Sequence, residues 1–366
     1  MISSMRLKSN LVAPGILKKF FSSAPSASVS TSHLIPKSKP RHFITLEDYS
    51  PSEIFALLEK ARGFKKIVKN QPLSEAEKHL KNSLATSNLS GKTVAIMFNK
   101  RSTRTRIATE SSVNFLGGSS MFLSSSDIQL GVNESLLDSS IVISSMVDGI
   151  VARVHSHNDI LELAKYSTVP VINALSDDSH PTQILADLLT MYEIFSKPSQ
   201  SIKDALQGLN VSWVGDSNNM LYEFLTAFPK CGINLSAATP KKYPVPQKFI
   251  DLGSSGPGTL KLGDSPTDAI SNSNVIITDT WVSMGQESEK AQRLLDFKGY
   301  QINDSLINAA GPAENYVFMH CLPRKPEEVS DSVFYGDRSF VFQEAENRKY
   351  TIMAVVHSLL IENGKL

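Results

Sequence analysis

The sequence is poor in cysteine, in net charge and in long apolar runs. Two cysteines, Cys231 and Cys321, stand in a chain of 366 residues. So few exclude a disulfide scaffold, and neither carries metal-ligand spacing around it. Lys plus Arg number 37 against 36 Asp plus Glu, a formal net charge of +1. That balance excludes a nucleic-acid coat or a highly charged tail protein. A locally basic stretch therefore carries more meaning than the total. No apolar run approaches the roughly 20 residues of a membrane span. The GxGxxG fingerprint is missing too, which leaves dinucleotide binding poorly supported.

Acidic residues are absent from one whole segment. The first 46 residues contain no Asp or Glu. Arg6, Lys8, Lys18 and Lys19 share it with Leu7, Leu11, Ile16, Leu17, Phe20 and Phe21, and many serines follow. This is the composition of an amphipathic mitochondrial presequence; the alternative is a disordered basic arm on a cytosolic protein. Residues 1–40 are assigned to the presequence, and the expected location is the mitochondrial matrix.

From residue 41 the pattern is globular. Ser50 and Pro51 precede an apolar 3–4 spacing, a helix start. TVAIMFN, SSMFLS, GIVARV and VPVINAL then read as strands, with helical stretches between them. ILADLLTMYEIF reads as a long helix. NVSWVGD, INLSAATP, NVIITDTW, YQIN and YVFMHCLP read as a second set of strands, and EAENRKYTIMAVVHSLLIENG as a terminal helix. Strands alternating with helices predict an α/β fold with parallel sheets. The length allows two domains. Each is expected to be a mostly parallel sheet flanked by helices, with the active site in the cleft between them. The boundaries are drawn at 41–187 and 188–340, with 341–366 as a C-terminal helix returning to the first domain.

Ligands of open parallel sheets sit at the carboxyl ends of strands, and five such loops are unusually polar or constrained. NKRSTRTR follows TVAIMF. A helix starting near Ser102 would expose N–H groups and a partial positive end. Ser102, Thr103 and Thr105 add hydroxyls, and Arg104 adds a planar two-pronged donor. These make a phosphate cradle; a solvated basic turn is the plainer reading. In VARVH, Arg153 ends an apolar strand and needs an anion or a carbonyl, although an ion pair would also serve. In SDDSHPTQILAD, Pro181 suits a first helical turn and puts His180 at its cap. His180 and Gln183 can then share one face. A helix start keeps His180 neutral, able to donate to a carbonyl oxygen, while Gln183 can accept from an amide. Alone, this is also a polar capping cluster. WVGDSNNM and DTWVSMGQE offer the Asn218 and Asn219 amides, the Asp279 carboxylate and a loop of Ser283, Met284 and Gly285, a set able to recognise a zwitterionic amino acid. In MHCLPRKPEE, His320, Cys321 and Arg324 crowd a strand end. Neighbours on a strand point to opposite faces, so Cys321 near a substrate amine is favoured over a Cys–His catalytic pair.

The combination S-T-R-T-R, H-P-x-Q, D-x-x-x-S-M-G and H-C-L-P, in this order over about residues 41–366, resembles the ornithine carbamoyltransferases. The first two motifs are shared with the aspartate enzymes; the last two favour ornithine. The resemblance implies transfer of the carbamoyl group of carbamoyl phosphate to L-ornithine. It implies that Ser102, Thr103, Arg104 and Thr105 hold the phosphate. Arg153, His180 and Thr105 would polarise the carbonyl, and Gln183 would hold the amide. Gln129 would reach a neighbouring subunit's phosphate in a homotrimer with sites at subunit interfaces. Asn219, Asp279, Ser283 and Met284 would bind ornithine. Cys321 and Leu322 would line the reaction centre, with Cys321 as the usual proton acceptor, and Arg348 would point at the carbamoyl group. Phosphate is already a good leaving group, so no metal or cofactor is expected, nor a nucleic-acid or membrane partner. Ser139, Ser140 and Ile141 depart from the family's usual Thr-Ala-Arg, in a helix body where packing is affected. The rivals are an aspartate or other amine-specific carbamoyltransferase and a non-catalytic ligand-binding regulator of the same fold.

Overall fold

The computed structural model describes residues 31–124, 134–283 and 286–365. A first unit ends at Ile35 and contributes one turn of 3-10 helix, Ser32–Leu34. Everything below belongs to the second unit, from Pro36 onward.

That unit holds two domains, each with one parallel sheet. The first sheet contains β1 (Thr93–Phe98), β2 (Ser119–Ser124), β3 (Gly149–Arg153) and β4 (Val171–Leu175), in the order β2-β1-β3-β4. The second contains β5 (Asn210–Val214), β6 (Asn234–Ala238), β7 (Leu260–Gly263), β8 (Val275–Thr278) and β9 (Val317–His320), in the order β7-β6-β5-β8-β9. All seven pairings are parallel. Helices cover both faces of such a sheet, so inner strands read as continuous apolar runs. β3 and β8 are buried along their whole length. Strand order reverses between β1 and β3 and again between β5 and β8. These are the crevices where a parallel sheet binds ligands.

Two strand expectations need correction. YQIN is no strand: Ile302 makes one isolated bridge, to Val329. β7 is a strand that the sequence pattern does not reveal. It is an edge strand of sequence LKLG with no buried residue, so it lacks the apolar signal of its neighbours.

Local chemistry sets the helix starts. Ser50 forms a capping box with Glu53 and is followed by Pro51; such caps contribute about 1 kcal/mol each. The helix Val341–Leu360 packs against the helices Pro51–Val68, Thr103–Phe115 and Pro181–Phe195. Asn347 joins two of them, accepting from Lys65 Nζ at 2.7 Å and donating to Thr190 Oγ1 at 2.8 Å. Within the helix Leu136–Ser144, Ser140 is buried and donates to the Leu163 carbonyl at 2.7 Å. That is a packing role for one of the three departures from the family pattern.

Glu223, on the helix Asn219–Ala227 of the second domain, reaches into the first. It accepts from the Leu46 N–H at 2.6 Å and from Thr45 Oγ1 at 3.2 Å, and Ser179 Oγ also donates to it. Burial pushes its pKa up to about 7. A carboxyl raised in the folded state stabilises fully below its unfolded pKa, and that contribution is lost as pH rises through the folded value. The window is therefore about pH 4.5 to 7. Thermal melts between pH 5 and 8 are expected to show the midpoint falling with pH, and Glu223→Gln is expected to flatten the slope. An equally steep slope in the variant would contradict this assignment.

Candidate active site

The turn after β1 is built by its own hydroxyl. Ser102 is extended, with φ −158° and ψ 121°, and its Oγ accepts the Thr105 N–H at 3.3 Å. The helix Thr103–Phe115 therefore begins at the carboxyl edge of β1 and turns its first N–H groups and its positive end outward. Arg104, in its first turn, sends one Nη to the Leu322 carbonyl at 2.6 Å, a contact from the first domain to the second.

Two more arginines come from distant segments. Arg153 ends β3, across the crevice from β1, and is only 7% exposed. Its Nε has no partner among the described residues. Burial, and then Arg104, lower its pKa to about 10. Arg348 comes from the C-terminal helix and is also buried. It donates to Gln183 Oε1 at 2.6 Å and to Thr105 and Thr182 hydroxyls at 3.2 Å each, while its Nε is unpartnered among the described residues. Burial first, and then Arg153, bring its pKa to about 10. Desolvated guanidiniums that disfavour one another's charge, with buried donors to spare, are relieved by an anion.

His180 stands among them. It precedes Pro181 at the start of the helix Pro181–Phe195, as the sequence pattern predicts. Its pKa is pushed well below the ordinary imidazole value by burial, and next by Arg348, Arg153 and Arg104. The helix start invoked from sequence is thus not the main cause. The ring is neutral and can donate one N–H.

The second domain supplies the opposite chemistry. Asp279 follows β8, across the second crevice from β5, and is buried. Asn218 donates to it from 3.5 Å, and Asp279 and the Cys321 thiol are close enough to shift one another's titration. Burial raises the Asp279 pKa. Burial also pushes the Cys321 thiol well above its ordinary value, helped by the charges of Asp279, Glu344 and Asp187. Cys321 is therefore a protonated thiol, and a thiolate base is disfavoured. His320 offers it no help. Nδ1 of His320 accepts the Leu322 N–H at 2.9 Å, which leaves the proton on Nε2, 3.2 Å from Glu328. Leu322 itself has φ 60°, rare for a leucine.

Other expected positions lie differently. Asn219 opens its helix, and its amide donates to the Ser176 carbonyl at 2.7 Å. The amide beside Asp279 is that of Asn218, which also caps the helix by accepting from Met220 and Leu221 N–H groups. Ser283 is half-buried, its N–H donating to Gln286 at 3.0 Å. Arg324 turns to the Val329 carbonyl and Asp331, outside this cluster. Gln129 and Met284 lie outside the described residues. Asp187, which closes SDDSHPTQILAD, and Glu344, which opens EAENRK, are both at hydrogen-bond distance from Gln183 and receive no role from the sequence alone. Each stands four residues from a site residue on a helix, Gln183 and Arg348, and that spacing could have found them.

These parts define a two-domain α/β protein that sets a cluster of buried arginines, at one sheet's strand ends, against an acid–amide–thiol cluster at another's. Residues 41–193 match the aspartate/ornithine carbamoyltransferase carbamoyl-P binding domain, and residues 207–359 match the Asp/Orn binding domain of the same enzymes. The chain belongs to the aspartate/ornithine carbamoyltransferase family. It is 47% identical to the mitochondrial ornithine carbamoyltransferase of Coccidioides immitis, over 90% of this chain and 95% of that one. It is 46% identical to the mitochondrial ornithine carbamoyltransferase of Schizosaccharomyces pombe, over 90% and 97%. The crystal structure of the mitochondrial ornithine carbamoyltransferase from Coccidioides immitis superposes with a TM-score of 0.80, 45% identity and coverage of 89% and 99%. That of ornithine carbamoyltransferase from Pyrococcus furiosus gives 0.78, 38%, 88% and 98%.

Proposed function

We propose that this protein transfers the carbamoyl group of carbamoyl phosphate to the δ-amine of L-ornithine, giving L-citrulline and phosphate. The observation that carries the reading is the facing of two clusters. Arg104, Arg153, Arg348 and neutral His180 suit an acyl phosphate. The Asp279–Asn218–Cys321 cluster suits an amino acid carrying an ammonium.

In this reading Ser102, Thr103, Thr105 and Arg104 hold the phosphate through helix N–H groups, hydroxyls and a guanidinium. Arg153, His180 and Thr105 donate to the carbonyl oxygen, and Gln183 accepts from the carbamoyl NH2. Asp279 takes the α-ammonium of ornithine, with Asn218, Asn219, Ser283 and Met284 around the amino-acid end. A neutral δ-amine attacks the carbamoyl carbon. Negative charge gathers on the carbonyl oxygen, the bond to the phosphate oxygen breaks, and phosphate carries away the amine proton. Each donor to that oxygen contributes about 3 kcal/mol. Fixing two small substrates together removes up to about 7–11 kcal/mol of barrier. Cys321 and Leu322 line the reaction centre. Cys321 enters as a protonated thiol beside Asp279, not as the base, because burial and the charge of Asp279 push its pKa well above the ordinary range.

We infer a homotrimer, in which Gln129 reaches a neighbouring site. Ile107, Met121 and Met146 support an assembly surface on the first domain, being 61%, 52% and 75% exposed. Sedimentation equilibrium at the mass of a monomer would refute it. The protein is mitochondrial, as its relatives from Coccidioides immitis and Schizosaccharomyces pombe are. The acid-free residues 1–40 fit a presequence, and a reporter carrying them that stays cytosolic would refute that part.

The test of function is an amine panel. With carbamoyl phosphate, purified protein is expected to carbamoylate ornithine at least about 100-fold faster than aspartate, putrescine or N-acetylornithine, the discrimination of a polar site left unpaired. Preference for aspartate would move the protein to the other branch of its family. No turnover with any amine would favour a ligand-binding regulator.

A further inference from the structure

Gln183 is held by a closed set of partners. Both protons of its Nε2 are taken: one by Asp187 Oδ1 at 2.9 Å, the other by Glu344 Oε1 at 2.8 Å. Its Oε1 accepts from Arg348 at 2.6 Å. A carbonyl oxygen has two lone pairs, so one remains. Gln183, Asp187 and Glu344 are each at most 2% exposed. Arg348 assigns the amide, since exchanging Gln183's O and N would face an NH2 to a guanidinium, which can only donate.

We propose that Asp187 and Glu344 are positioning residues that lock Gln183 as an acceptor, so that the site reads an NH2 on the acyl phosphate and rejects a methyl group. This rests on the carbamoyl-transfer reading above. Acetyl phosphate has the same phosphate and carbonyl but no hydrogen-bond donor on its acyl carbon. In the locked site it leaves the second Gln183 lone pair buried and unpaired, a cost that carbamoyl phosphate avoids.

The two carboxyls are not equivalent. Both oxygens of Glu344 accept fixed N–H groups, from Gln183 and, at 2.9 Å, from the His320 backbone. An amide nitrogen at either place would face a donor. Asp187 uses only Oδ1 in this way, while Oδ2 has no N–H or O–H partner among the described residues. Burial raises the pKa of both Asp187 and Glu344, and the charge of Asp187 raises Glu344 further. An Asn at 187 can keep its oxygen toward Gln183 and put its NH2 at the Oδ2 position, which faces no fixed donor among the described residues.

The experiment compares the full-length protein with Glu344→Gln and Asp187→Asn. Two quantities are read: KM for carbamoyl phosphate, and the Ki of acetyl phosphate as its competitor. Glu344→Gln is expected to raise KM about tenfold, the worth of one neutral hydrogen bond to the substrate, while Ki moves less than about twofold. Asp187→Asn should keep the Ki/KM ratio within about threefold of the unaltered protein, and Asp187→Ala should lose it as Glu344→Gln does. A packing role alone would weaken both ligands in parallel, and that result overturns the proposal. So does an unchanged ratio in Glu344→Gln. Should Glu344→Gln fail to fold, the contrast between Asp187→Asn and Asp187→Ala decides the question in the same way. Failure of the unaltered protein to form citrulline would instead remove the functional reading. Citrulline formation with indifferent ratios removes only the positioning role.

Discussion

Arg104→Ala is expected to lower kcat/KM for carbamoyl phosphate by about 10³-fold, because it deletes one charge-assisted contact to phosphate and one source of positive potential at the reacting carbonyl. The side chain is half-buried behind a helix start, beside Arg153, and desolvation lowers its pKa. An anion arriving there gains contacts that water would otherwise weaken. The change should fall mainly on carbamoyl phosphate. KM for ornithine is expected to move less than about threefold, since the hydrogen bond that Arg104 sends into the second domain ends on the Leu322 carbonyl and not on Asp279. Arg104→Lys should recover little, because a point charge cannot reproduce a two-pronged donor. Steady-state kinetics over both substrates decide the matter. An unchanged KM and turnover for carbamoyl phosphate would remove Arg104 from the site.

Asp279→Asn should act on the other substrate. Truncating a buried charge partner costs about 2–5 kcal/mol, so KM for ornithine should rise about 100-fold, while KM for carbamoyl phosphate stays within about twofold. A second readout is independent of turnover. Asp279 is the largest charge cause, after burial, that holds the Cys321 thiol up. Without it the thiol should acidify, and alkylation of Cys321 by iodoacetamide near pH 8 should accelerate several-fold. Cys231 is a control in the same molecule, because its thiol is pushed up to about 12 by burial, with no contribution from Asp279. A normal ornithine KM in this variant would contradict the assignment, and an unchanged alkylation rate would contradict the electrostatic link.

Much of the fold and site is legible in residue patterns. β1, β3, β8 and β9 are buried parallel strands, and TVAIMF, GIVAR, VIIT and VFMH announce themselves as apolar runs. Ser102 and Pro181 mark their helix starts by their own chemistry. Legibility ends where tertiary context decides. YQIN has strand composition but only one bridging partner. β7 has a partner but no apolar pattern. Asn218 and Asn219 are indistinguishable as adjacent amides; the helix start gives one to the cap and Asp279, and the other to the Ser176 carbonyl. The state of Cys321 depends on Glu344 and Asp187, which stand 23 and 134 positions away in sequence. The neutrality of His180 follows from the sequence as a helix-start effect, whereas burial among three arginines is the greater cause.

The central claim is that the arginine cluster and the Asp279–Cys321 cluster serve one reaction. The most direct measurement follows citrulline and inorganic phosphate together, from carbamoyl phosphate and ornithine, in the unaltered protein, Arg104→Ala and Asp279→Asn. One phosphate per citrulline is expected in the unaltered protein. The first variant is expected to fail chiefly through carbamoyl phosphate and the second chiefly through ornithine. Phosphate release without citrulline, or variants that lose both substrates in the same proportion, would contradict the claim.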